Sequence, residues 1–180
     1  HAMRHLIGEI GAGRLEADQG LLAAMVHYLE AYPEKRHHPK EDRYLFGPLR
    51  QRTGEGAAAL ERLEREHGEA EGRIQALESA LAGYRAGQAG GFEAFRAAFD
   101  TYATFYREHM LLEEREVLPL LHQYFTAEDW AQADAGFLAD DPLRGTRTGK
   151  GEEDFARIFT KLVEAAPAPI GLGAGPYREA

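Results

Sequence analysis

The chain has 180 residues, enough for one domain that buries a core of its own. Its 28% charged and 44% hydrophobic residues are those of a globular protein, and its formal charge of −9 argues against nucleic acid, whose phosphates call for Lys and Arg. With no cysteine, disulfides, thiolate zinc sites, iron–sulfur clusters and Cys nucleophiles are excluded, so any metal must be held by nitrogen and oxygen from eight histidines and thirty carboxylates.

No run approaches the roughly 18 apolar residues of a membrane span, and no signal-peptide pattern opens the sequence, so no membrane partner and a cytoplasmic location are expected. Glycines and prolines fall between segments of helical periodicity, with almost no strand-like alternation, which predicts an all-α fold. A first helical piece spans about 2–10 with Met3, Leu6, Ile7 and Ile10 on one face, and Gly11 to Gly13 form a joint. A second helix runs from about Glu16 to Arg52, bent at Pro33 and Pro39. Its inward face passes through Leu22, Val26, Leu29, His37, Glu41, Leu45 and Pro48.

After the break at Thr53-Gly54-Glu55-Gly56, a third helix of about 57–84 places Leu60, Leu63, Ala70, Ile74, Leu77 and Leu81 on one stripe, with His67 filling the missing step. Gly87 to Gly91 break the chain again. The fourth helix carries Phe92, Phe95, Phe99, Tyr102, Tyr106, Val117 and Leu120, and His109 and Glu113 complete that stripe. Thr126 reads as the N-cap of a short helix through Trp130 and Phe137, ended by Asp140-Asp141-Pro142. A last helix of about 152–165 faces Phe155, Ile158, Phe159 and Leu162 inward, before a tail rich in Gly and Pro. The expected organisation is a bundle over 1–125, a helical extension packed on it over 126–166, and an irregular tail over 167–180.

Three inward-facing places thus interrupt apolar stripes: His37 with Glu41, His67, and His109 with Glu113. Burying these groups unpaired would cost several kcal/mol each, roughly, so they need partners. A His and a Glu one helical turn apart direct an imidazole and a carboxylate at the same point. A lone core histidine is ordinarily a hydrogen-bonded structural residue, but two such pairs and a third histidine spread over three helices point to a shared metal centre. Its nitrogen and oxygen donors suit iron, manganese or zinc; iron is the preferred reading, although spacing alone does not select it.

His27, His38 and His122 fall off the stripes by a residue and are expected at the surface or rim. Glu114 points away from Glu113, and the Glu61–Glu71 charge run reads as a solvated helix face. Tyr106 lies one turn before His109, where it can line a pocket beside the metal.

The segments His37-His38-Pro39-Lys40-Glu41-Asp42, Leu45-Phe46, Glu66-His67 and His109-Met110-Leu111-Leu112-Glu113-Glu114, with Pro119 a turn later, resemble the bacterial hemerythrin-like (HHE cation-binding) family. Tyr28 to Pro33, Ala127 to Trp130 and Asp140 to Leu143 extend the resemblance over about 15–165. It implies an up-down-up-down four-helix bundle with additional short C-terminal helices. The core would hold two oxo- or hydroxo-bridged iron ions, with Glu41 and Glu113 bridging and His37, His67 and His109 as terminal ligands. The family normally adds a histidine from the first helix; here His1 and His5 both fall off the apolar face, so that ligand is one of them in a distorted start or is missing.

Members of the family bind dioxygen or nitric oxide, sense redox state or iron, or help repair iron centres. The expected function is therefore a di-iron protein that binds a small diatomic ligand or reports redox or iron state. The alternatives are a di-iron enzyme, an oxidase, peroxidase or repair protein, and a metal-free helical interaction module.

Overall fold

The computed structural model describes residues 2–139. The helix expected over 152–165 and the tail expected over 167–180 lie outside them. Every element among the described residues is helical. In chain order these are α1 (Ala2–Gly11), α2 (Gln19–Leu29), a π-helical stretch (Glu30–His37), α3 (His38–Glu41), a second π stretch (Asp42–Phe46), α4 (Gly47–Arg52), α5 (Ala57–Arg85), α6 (Gly91–Leu112), a third π stretch (Glu113–Val117), α7 (Leu118–Tyr124) and α8 (Ala127–Leu138). No described helix is long and apolar enough to cross a membrane.

Local chemistry accounts for the boundaries. The second helix was expected from Glu16 but starts at Gln19, because the Asp18 carboxylate accepts the Leu21 N–H at 2.9 Å and so satisfies a donor left free at a helix start. Gly87 at φ 69° turns the chain out of α5, a conformation that costs glycine no clash. Thr126 opens α8 as expected, with the full reciprocal cap: its hydroxyl accepts from Asp129 N–H while the Asp129 carboxylate accepts from Thr126 N–H.

The three π stretches share one cause. Each is followed by a proline in the first two positions of the next helix, Pro39 in α3, Pro48 in α4 and Pro119 in α7. Proline has no N–H to give, and its ring crowds the carbonyl four residues back. The preceding turn widens and takes in an extra residue, the usual form of a π-bulge.

The described residues form two compact units. The first comprises 2–29 and 74–102. In it Leu6, Leu15 and Leu21 pack with Ile10 and Met25, and Leu22, Val26, Ile74, Leu77, Leu81, Phe95, Phe99 and Tyr102 are also buried.

The second unit comprises 30–73 and 103–139. Its core joins Phe46, Leu49, Ala59, Leu60, Leu63, Val117 and Leu121, with Trp130 and Phe125 of the C-terminal part packed against it. Truncating fully buried side chains such as Leu60 or Leu63 to alanine costs about 2–5 kcal/mol each. Helix α8 rests on the Asp42–Phe46 stretch: the Lys40 ammonium donates to the Phe137 carbonyl at 3.0 Å, and Arg52 pairs with Asp129 at 3.0 Å.

Candidate metal centre

All the inward-facing polar residues belong to the second unit. His38, Glu41, His67 and His109 each offer a ligand atom, and these atoms lie within 4.8 Å of one another. His67 Nε2 stands 3.2 Å from His109 Nε2 and 3.7 Å from Glu41 Oε2, and His109 Nε2 is 3.0 Å from Glu113 Oε1. The other oxygen of Glu41, Oε1, lies 3.0 Å from His37 Nε2. The five residues named from the sequence therefore form one continuous chain of contacts, His37–Glu41–His67–His109–Glu113.

His37 sits at the rim of this chain, its side chain 36% exposed and its ring stacked on Tyr32 and met edge-on by Phe137 at 5.7 Å. His38, expected at the surface, is 3% exposed. Its ring stacks on His67 at 4.2 Å and lies 5.2 Å from His109. The physical reason is the extra residue taken up before Pro39. Counting α-helical turns from Leu29 reaches His37, whereas one residue of slip delivers His38 to the interior. Equivalent slips at the second and third π stretches bury Phe46, Leu49 and Leu121, with the expected Leu45 and Leu120 only partly buried against the same core.

Three carboxylates that the stripes do not point to also reach these rings: Glu34, whose Oε2 lies 3.1 Å from His38 Nδ1, Glu66 and Asp42. Glu66, placed in a solvated charge run, turns its carboxylate inward to His109 Nδ1 at 2.9 Å and is itself held by Arg62 Nε at 2.7 Å. Asp42 stands 2.9 Å from His67 Nδ1. The adjacency Glu66-His67, with Arg62 one turn earlier, was the available signal for Glu66. Of the other candidates, His5, His27, His122 and Glu114 are exposed, and His1 lies outside the described residues. Tyr106 is half-buried with its ring 6.0 Å from His38 and 6.1 Å from His109, beside the cluster as expected.

The electrostatics follow from this crowding. A hydrogen bond to Glu41 raises the His37 imidazole above its ordinary range, against the opposing effect of burial. Burial alone would raise the Glu41 carboxyl, but the contact with His37 and the nearby His38 and His67 rings bring it below its ordinary value. Burial would likewise lower His109, yet Glu113 and Glu66 together raise it. Glu66 is held low by Arg62 and His109 in spite of its own desolvation.

Several buried atoms nonetheless lack a hydrogen bond: both ring nitrogens of His38, Glu41 Oε2 and Glu113 Oε1. Buried polar atoms are normally satisfied, and leaving one bare costs about 1–3 kcal/mol. Imidazole and carboxylate donors that converge without hydrogen bonds to satisfy them are what a divalent cation of borderline softness takes as ligands. The residues present therefore fit a metal ion.

No curated protein and no solved structure matches the chain. The family model of the hemerythrin HHE cation-binding domain matches residues 1–121, which hold every one of these polar groups. By that match, which covers well over half of its length, the chain belongs to the hemerythrin HHE cation-binding domain family.

Proposed function

We propose that this chain is a non-haem iron protein whose buried cluster holds two iron ions and presents them to a small diatomic ligand, dioxygen or nitric oxide, or reports redox or iron state through them. The observation that carries the reading is that His38, Glu41, His67 and His109 bring ligand atoms within 4.8 Å of one another, with the ring nitrogens of His38 and Glu41 Oε2 buried there without a hydrogen bond. Glu41, Glu113, His37, His67 and His109 are the ligands in this reading, with His38 added.

Glu41 would hold the ions with both its oxygens, which face different histidines, Oε1 toward His37 and Oε2 toward His67. Aromatic rings limit the access of water: Phe46 stacks on His67 at 5.7 Å and Phe105 on His109 at 6.2 Å. Bound iron supplies a one-electron couple and an open coordination position for a diatomic ligand. A cluster sheltered by apolar rings favours reversible binding over reactions that need bulk water or a large substrate.

The test is anaerobic reconstitution with ferrous iron, metal analysis, and optical spectra before and after exposure to dioxygen and to nitric oxide. About two irons per chain and a ligand-dependent visible band are expected. A protein that takes up no iron, or whose iron-loaded spectrum ignores both gases, refutes the proposal.

A further inference from the structure

Each histidine at the heart of the cluster has a carboxylate on the same ring atom. His67 Nδ1 is 2.9 Å from Asp42 Oδ1, and His109 Nδ1 is 2.9 Å from Glu66 Oε2. His38 repeats the pattern at 3.1 Å from Glu34 Oε2, out of hydrogen-bond alignment. In every case Nδ1 faces an outer carboxylate, and for His67 and His109 it is Nε2 that turns toward Glu41, Glu113 and the other ring.

A carboxylate can only accept, so the imidazole nitrogen it contacts must donate. With the proton held on Nδ1, the neutral ring has its lone pair on Nε2. The two Nε2 atoms then oppose each other as acceptors 3.2 Å apart, with further acceptors close by on Glu41 and Glu113. Four acceptors facing inward with no donor among them repel one another, and a cation between them removes that repulsion. An imidazole whose far nitrogen is hydrogen-bonded to a carboxylate is also held in orientation and made a stronger base toward a metal.

We propose that Asp42 and Glu66 are positioning residues of the metal centre, each fixing the Nδ1–H tautomer of one histidine, His67 and His109 respectively, so that both Nε2 lone pairs face the interior of the cluster, where metal would be held. This rests on the metal reading above. Glu66 is the better anchored of the two: its side chain is 13% exposed, and Arg62, one turn earlier on the same helix, grips its second oxygen. Arg62 and Glu66 thus form a brace from the outer face of α5 to the ring of His109.

Two measurements test the assignment. Long-range nitrogen–proton correlation spectra of the metal-free full chain, at a pH where the rings are neutral, read each tautomer directly. His67 and His109 are expected as Nδ1–H, the form that a free imidazole disfavours. Glu66→Ala is expected to return His109 to the Nε2–H form and Asp42→Ala to do the same for His67, while Glu66→Gln, which keeps an accepting oxygen, largely preserves the parent state.

Cobalt(II) titration then gives affinity. Each alanine variant is expected to bind about 10–100-fold more weakly than the parent, with the Gln variant in between. Glu69→Ala, which removes an exposed carboxylate paired with Arg73 on the same helix, is expected to bind as the parent does.

Rings found as Nε2–H in the parent overturn the proposal without any variant, so it survives an alanine variant that does not fold. Alanine variants that fold and bind cobalt(II) as tightly as the parent overturn it as well. A parent that takes up no cobalt(II) is a failure of the metal centre itself, and it shows before any variant is made.

Discussion

Replacing Gly136 with alanine is expected to destabilise the protein, although the same change at the open helical glycines Gly68 and Gly72 should stabilise it. Glycine inside a helix costs about 1 kcal/mol relative to alanine, so a substitution into open space recovers roughly that amount. Gly68 and Gly72 of α5 are such positions, exposed and with nothing within 4 Å of an added Cβ. Gly136 is buried in α8, and a Cβ there would lie 2.5 Å from Cε2 and 2.6 Å from Cδ2 and Cζ of Tyr44. The obstacle is a rigid aromatic ring in the Asp42–Phe46 stretch that α8 rests on, not the free end of a flexible chain. Overpacking of this kind costs about 1–3 kcal/mol, which against a gain of about 1 leaves a net loss of up to about 2 kcal/mol. Trp130, the only tryptophan in the chain, lies in α8 with its ring 5.1 Å from Phe125, so its fluorescence reports that helix during urea unfolding. If Gly136→Ala raises the urea midpoint as Gly68→Ala does, at the same slope, Tyr44 is not packed against the α8 backbone and the reasoning fails.

Metal binding is expected to reverse the response of stability to alkaline pH. In the metal-free protein His37 and His109 titrate above 6.5, so their contribution is full below that pH and is lost as pH rises through their folded values; Glu41 and Glu66, held below 4.5, contribute above 4.5 and lose it as pH falls through theirs. Protons compete with a cation for the same imidazoles, so the increment from bound metal should instead grow with pH, reaching about 4 kcal/mol where free metal is 1,000 times its Kd; urea melts with metal and with chelator, compared at about pH 6.5 and pH 8.5, check both signs. His38→Ala should weaken cobalt(II) binding by more than the about 10–100-fold that loss of an outer partner costs, and affinity equal to the parent would return His38 to a packing role. Thr126→Ala should loosen α8 by about 0.5–2 kcal/mol, read from Trp130. Arg52, with the Thr126 cap, lowers the Asp129 carboxyl from 3.8 to about 2, so its contribution holds above pH 3.8 and should fade as pH falls toward 2, which acid titration of the same fluorescence checks.

The apolar stripe of α5 is legible, because no proline or widened turn shifts its phase: Leu60, Leu63, Ala70, Ile74, Leu77 and Leu81 are all buried as the spacing predicts. His67 lies on the same face, reaching His109, Glu41 and Asp42. Residues 30–52 were legible only to within one position. The prolines were visible, and a bend was expected at Pro33 and Pro39, but a bend alone leaves the phase of the helix unchanged. A widened turn shifts that phase by a whole residue. His38 was assigned outward for that reason, and Leu45 and Pro48 took the places of Phe46 and Leu49. Glu66 was lost differently. Charge runs on helices are usually solvated, and only the partner across the unit, His109, shows that this one carboxylate turns in.

The widened turns also explain how a single helical run offers so many polar side chains to the cluster. Along an α-helix, neighbouring residues diverge by about 100°, so of two adjacent histidines only one faces a given point. In a turn closed five residues back the divergence falls to roughly 80°, and an adjacent pair can flank the same place. His37 ends the first π stretch and His38 begins α3. The two rings approach the cluster from different sides, His37 on Glu41 Oε1 and His38 stacked on His67. Glu41 lies immediately before the second π stretch, and Glu113 is the first residue of the third. Glu41 and Glu113 therefore stand where backbone hydrogen bonding changes from one pattern to the other. Such junctions are costlier than regular helix, and they persist here because the following prolines remove the alternative of closing the α-turn. Seen this way, Pro39, Pro48 and Pro119 do more than bend helices: they hold open the register in which histidines and carboxylates of separate helices meet.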